Sequence, residues 1–193
     1  MRGIRLLQQT FRRCFCRGGY GVHSPFAFTL LTRVVEERAC YTAYENILDT
    51  PSWVASRKKT IKEREALLLY RIMAHYPIVD ILYRGEEPLF QRLLGLLEPV
   101  TENTLREHAY GPYSEQELFH LVIVDKVTDL FSERVLSEEP TILYVSMAGD
   151  NWAKQCSKRF YANMSHGIEV DLLYGKLFVL TPNLFKNRYK SLL

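Results

Sequence analysis

Read for its alternation of apolar and polar positions, the chain begins with helical spacing and changes to an α/β rhythm. Ser24 and Pro25, followed by Phe28, Leu31 and Val35, supply an N-cap, a proline at the first helical position and an apolar stripe, and predict a short helix. Tyr41 to Trp53 contains Asp49-Thr50-Pro51-Ser52 and reads as a connector. Thr60-Ile61-Lys62-Glu63 has the form of a capping box and opens a helix running to about Tyr76. After Pro77 the β-branched run Ile78 to Tyr83, closed by Arg84-Gly85, predicts a strand. Pro88 to Leu97 returns to helical spacing through Leu89, Leu93, Leu94, Leu96 and Leu97. Glu98 to Gln116 is polar, with room for one weak strand around Thr104 to His108.

Leu118 to Asp125 is a nearly continuous apolar run ending in an acid, the pattern of a strand buried on both faces. Val127 to Leu136 fits a crossover helix, Thr141 to Val145 a second buried strand, and Asn151 to Met164 another helix. Strand, helix, strand, helix at this spacing predicts a parallel sheet with helices on both faces. The runs Gly167 to Leu173 and Lys176 to Leu180 are separated by Tyr174-Gly175 alone, a link that permits only an antiparallel hairpin. The expected class is therefore α/β: a mostly parallel sheet with a C-terminal antiparallel hairpin, a shortened middle, and a helical N-terminal extension. The division is an extension over 1–60 and an α/β domain over 61–193.

A chain of 193 residues suits one well-cored domain. Its apolar fraction of 47% and charged fraction of 24% exclude wholesale disorder. The net charge of +3 conceals an uneven start: Arg2, Arg5, Arg12, Arg13, Arg17 and Arg33 all precede the first acid, Glu36. Such a segment fits an organellar transit peptide, a nucleic-acid or membrane-surface arm, or the solvated face of a first helix. The last is preferred, since Ile4, Leu6, Leu7, Phe11 and Phe15 form one stripe beneath the arginines. No apolar run is long enough for a signal-peptide core or a membrane span, and a cytoplasmic protein is the default. Cys14, Cys16, Cys40 and Cys156 have neither zinc-ribbon nor redox spacing and read as reduced structural thiols.

The segment Gly19-Tyr20-Gly21-Val22-His23-Ser24-Pro25-Phe26-Ala27-Phe28 resembles the N-terminal entry motif of a bacterial family of class I S-adenosylmethionine-dependent methyltransferase-like proteins. Glu65 to Tyr83 and the tail Val170-Asp171-Leu172 through Leu177-Phe178-Val179 resemble further parts of that family, in the same order. The resemblance implies a Rossmann-like methyltransferase fold, which an antiparallel C-terminal pair separates from ordinary dinucleotide-binding folds. It also implies S-adenosylmethionine as cofactor, placed near Tyr83, Gly85 and Asp125. In the family the first strand ends in a Glu-Leu-Gly-x-x-x-Gly turn, whose glycines let backbone approach the methionine part of the cofactor. Here that turn reads Leu82-Tyr83-Arg84-Gly85-Glu86-Glu87-Pro88, with one glycine and two acids that would repel a ligand carboxylate.

A ribose-binding acid after the second strand has no clear counterpart; Glu102 and Glu107 are the nearest acids and read as surface groups. Asp125 ends a strand as the family's acid does. It fits a cofactor-facing group, a ligand for a divalent metal beside an acceptor hydroxyl, or a turn cap. The family's later acidic pair is Ser146-Met147 here, so no metal site is expected, and Trp152 carries over. His23 reads as a helix anchor before a base, and His75, His108, His120 and His166 have no ligand spacing.

Two functions follow. One is a divergent methyltransferase-like protein with a degenerate cofactor site and a binding or structural role, its partner a protein; the other is an active O-methyltransferase on a small-molecule acceptor. The first is preferred because the glycine turn is the part hardest to replace. A nucleic-acid role, through the Arg-rich start with Lys186, Arg188 and Lys190, has less support because acids such as Glu36-Glu37, Glu86-Glu87 and Glu138-Glu139 run through the chain.

Overall fold

The computed structural model of the chain describes residues 10–11, 22–39, 41–49, 59–97, 117–125, 139–147 and 151–191. The first long element is an α-helix, α1 (Pro25–Thr29), that widens without a break into a π-helical turn, Leu30–Val35. Ser24 caps it, its hydroxyl accepting from Ala27 N at 3.3 Å. The buried stripe is Ala27, Leu30, Leu31, Val34 and Val35, whereas Phe28 is 46% exposed. The expected stripe through Phe28 is thus corrected: its centre lies one residue earlier, on an alanine that is a weak apolar marker. The N-cap expected at Ser24 forms, whereas His23, expected to anchor the helix, is exposed.

Tyr41 to Trp53 is not a plain connector. It contains α2 (Ala43–Leu48), which buries Tyr44, Ile47 and Leu48 at helical spacing and stops at Asp49, a left-handed C-cap with φ 54°. The capping box forms as expected at the start of α3 (Ile61–His75): Thr60 Oγ1 accepts from Glu63 N at 3.2 Å and the Glu63 carboxylate from Thr60 N. Arg71 of α3 is buried, and its guanidinium donates to the carbonyls of Val34 (2.6 Å) and Val35 (3.3 Å) and to the Tyr44 hydroxyl (3.1 Å). One side chain thereby takes up carbonyls that the end of the π-helical turn leaves open.

β1 (Ile78–Arg84), α4 (Pro88–Leu97), β2 (Phe119–Val124), β3 (Thr141–Ser146), α5 (Asn151–Asn163), β4 (Ile168–Asp171), β5 (Gly175–Leu180) and β6 (Asn187–Lys190) complete the described elements. The six strands form one mixed sheet in the order β1-β2-β3-β5-β4-β6. β1, β2 and β3 run parallel; β5 is antiparallel to both β3 and β4, and β6 is parallel to β4. The strands from Ile78, Phe119 and Thr141 and the hairpin are those the apolar pattern predicts. β6 is an addition, a polar strand with no alternation to mark it. The weak strand at Thr104 to His108, the crossover helix at Val127 to Leu136 and most of the Arg-rich start lie outside the described residues. Phe11, which is described, is exposed.

Both faces of the sheet are covered, as continuous apolar strands require. Leu121, Ile123, Ile142, Tyr144, Val170, Leu177 and Val179 share a core with α1 to α4. Val122, Val124, Leu143, Val145, Phe178 and Leu180 pack instead on Ala153 and Phe160 of α5 and on Met164 just after it. Cys156 is buried and not in a disulfide. No described helix is long and apolar enough to cross a membrane.

Candidate functional site at the carboxyl edge of the sheet

Parallel strands place their carboxyl ends on one edge, where α/β sheets present loops and helix N-termini to ligands. Arg84 pairs with Val124 and Val124 with Val145, so Gly85, Asp125 and Ser146 follow side by side at that edge. The Asp125 N–H donates to the Arg84 carbonyl at 3.2 Å and extends the register.

The structure brings Tyr83, Gly85 and Asp125 together in one hydrogen-bonded knot. The Asp125 carboxylate accepts from Tyr83 Oη (2.6 Å), from Glu87 N (2.7 Å) and, through both oxygens, from Glu86 N (3.2 Å). Glu87 N also donates to Tyr83 Oη at 2.7 Å. The backbone N–H groups that lead into α4, which attract an anion by position and dipole, are therefore held by a carboxylate of the same chain. Gly85 makes room for it: a Cβ there would stand 1.6 Å from Asp125 Oδ1. Burial first, and then the hydrogen bond and charge of Asp125, raise the Tyr83 phenol well above its ordinary range, so it remains a donor at neutral pH.

A second polar group lies along the same edge. Glu65 of α3 is wholly buried and accepts from Ser146 Oγ at 3.0 Å; the ammonium of Lys62 lies 3.3 Å from Glu65 Oε2 and donates to Ser146 Oγ at 2.8 Å. That ammonium is also 3.7 Å from Glu87 Oε2 and 5.2 Å from the centre of the Phe90 ring. Glu87 thus joins the two groups, through its N–H to Asp125 and its carboxylate to Lys62. The Tyr144 hydroxyl is buried beside Glu65 without a hydrogen bond of ordinary geometry. A Cβ on Gly175 would lie 2.4 Å from that hydroxyl.

Burial is the main cause that raises the Glu65 carboxyl above its ordinary value of 4.5, with Lys62 opposing it. A carboxyl that binds its proton more tightly folded than unfolded favours the fold at low pH, and that stabilisation is lost as pH climbs through the folded pKa. Glu65→Gln is therefore expected to gain stability relative to wild type as pH rises from about 4.5, read as the difference between their urea midpoints from about pH 4 to pH 8. A difference that stays flat, or one that shrinks with rising pH, contradicts this reading.

Sequence reasoning did not reach Lys62, Glu65 or Tyr144. Glu65 was detectable as an acid three and four residues before Leu68 and Leu69, on the apolar face of its helix. Glu102 and Glu107 lie outside the described residues, as does the Trp152 side chain. His120 is at the opposite end of the sheet, with Nδ1 2.6 Å from Asp80 and Nε2 3.1 Å from Glu139. Among the described residues no three His, Cys, Asp or Glu side chains are arranged to hold a metal ion.

No family model, no curated protein and no solved structure matches this chain.

Proposed function

We propose that this is a divergent methyltransferase-like protein of Rossmann-like fold whose S-adenosylmethionine turn is degenerate, and that it acts through a binding or structural role. The parallel order of β1, β2 and β3, finished by the antiparallel β5, supports the fold reading. The observation that carries the functional reading is the Asp125 carboxylate seated on Glu86 N and Glu87 N. In a working cofactor turn those N–H groups and the space above the glycine are free for the ligand. Here an internal anion holds both, and the acids Glu86 and Glu87 flank it. A ligand carboxylate entering this turn has to displace Asp125 from four hydrogen-bonding contacts and meets like charge on arrival.

Calorimetric titration of the wild-type chain with S-adenosylmethionine and S-adenosylhomocysteine, with and without magnesium, tests this. No heat of binding is expected at millimolar ligand. Micromolar binding of either ligand overturns the proposal and restores the active O-methyltransferase.

A further inference from the structure

Charge is partitioned along this chain more sharply than its total suggests. Asn151 to Leu193 holds seven Lys and Arg and only two acids, Glu169 and Asp171. Both acids are spent internally. Glu169, buried on β4, is bonded by Lys176 Nζ and by Arg188 Nε, and Asp171 Oδ2 lies 3.4 Å from Lys176 Nζ. Two cations and two anions make that group neutral. Lys154, Lys158, Arg159, Lys186 and Lys190 are left without an acidic partner among the described residues.

Four of these five border one ledge. Lys154, Lys158 and Tyr161 stand at i, i+4 and i+7 and so share a flank of α5. The start of β6 and the residue before it meet the C-terminal end of that flank: Arg188 is 4.0 Å and Lys186 Nζ 4.9 Å from the centre of the Tyr161 ring, and Lys186 donates to the Ala162 carbonyl at 3.1 Å. Arg188 and Lys190 are on one side of β6, about 6.6 Å apart along it. β6 is the last strand of the sheet order, so the ledge opens outward. Phe185, 94% exposed, stands beside Lys186 at its end.

We propose that this ledge binds single-stranded nucleic acid, with phosphates along Lys154, Lys158, Lys186 and Lys190 and a base stacked on Phe185. Rows of cations beside an open aromatic ring are the chemistry that takes a strand with splayed bases. A duplex keeps its bases stacked on one another and would leave Phe185 unused. An anionic lipid surface would be gripped by one aromatic ring, too little apolar area for stable attachment.

The test is fluorescence anisotropy of a labelled oligouridine about 15 nucleotides long. Binding is expected at low salt, with a log–log salt slope of about −3, from about 0.7 per neutralised phosphate and four lysines. Reversing Lys154, Lys158 and Lys190 together to Glu is expected to weaken binding at least about a hundredfold. Phe185→Ala is expected to cost about tenfold with the slope unchanged. Circular dichroism melts check each variant; should the triple reversal fail to fold, Lys158→Glu alone serves, with a slope reduced by about 0.7. No binding by wild type, binding to phosphatidylglycerol vesicles in place of the oligonucleotide, or binding untouched by the reversals overturns the proposal. The last outcome would assign the affinity to the Arg-rich N-terminal segment.

Discussion

Replacing Arg71 by Leu is expected to cost about 4 kcal/mol of stability, because the substitution keeps bulk but removes every donor from a buried site. The guanidinium of Arg71 holds the carbonyls of Val34 and Val35 and the hydroxyl of Tyr44. Each buried group left unpaired costs about 1 to 3 kcal/mol, and Leu supplies no substitute. Tyr44 also makes a tilted ring contact with Tyr41 and an edge contact with Tyr70, so its displacement loosens the aromatic group between α2 and α3. Arg71→Lys keeps the charge but loses the planar fork, and is expected to recover less than half of the loss. Urea unfolding reads both variants. A loss under about 1 kcal/mol for the Leu variant would mean that water reaches these carbonyls and that Arg71 does not tie the π-helical turn to α3.

Asp125→Ala has the second largest expected effect, about 3 kcal/mol. The carboxylate satisfies Glu86 N, Glu87 N and the Tyr83 hydroxyl at once, and hydrogen bonds to charged groups contribute about 1.5 to 3 kcal/mol each. The sum is discounted here because Glu86 is exposed and water can replace part of what is lost. Asp125→Asn is expected to lie between wild type and the Ala variant, since its amide keeps one acceptor oxygen and loses the charge. The Tyr83 phenol should respond in parallel: with Asp125 gone, two of the causes that raise its pKa disappear, the hydrogen bond and the charge, and ultraviolet titration of tyrosine should show a group ionising earlier. An Asp125→Ala variant as stable as wild type would leave the turn held by α4 alone.

How much of this could be read from sequence follows from where the side chains sit. β2 and β3 are buried on both faces, so Leu121 to Val124 and Ile142 to Val145 leave an uninterrupted apolar signal. The hairpin is legible in the shortness of Tyr174-Gly175, although the link is residues 172–174 and Gly175 opens β5, and α3 is legible in a capping box that needs only Thr60 and Glu63. α2 was hidden because Asp49-Thr50-Pro51-Ser52 mark a turn strongly while the helix before it is short. β6 was hidden because Asn187, Arg188 and Lys190 are exposed and Tyr189 alone packs inward, which gives no alternation.

The candidate site divides in the same way. Tyr83, Gly85 and Asp125 follow from the resemblance to the methyltransferase-like family, and the strand register places them together. What the sequence lacks is the direction of the Asp125 carboxylate: a strand-end acid that points outward toward a ligand and one that folds back onto Glu86 N and Glu87 N have the same spacing. The Lys62, Glu65, Ser146 and Glu87 group was out of reach because its members come from two helix starts and a strand end. Only the packing of α3 against the sheet edge brings them within hydrogen-bond range.

A double-mutant cycle over Gly85 and Asp125, read by urea unfolding, tests most directly whether the turn is closed by its own carboxylate. Gly85→Ala puts a methyl where Asp125 Oδ1 now lies, so either substitution alone evicts the carboxylate and the second has little left to remove. The double variant is expected to be no less stable than the weaker single one, a coupling of about 2 kcal/mol or more. Losses that add within about 0.5 kcal/mol would mean that Asp125 does not occupy the space above Gly85, and that the turn remains open to a ligand.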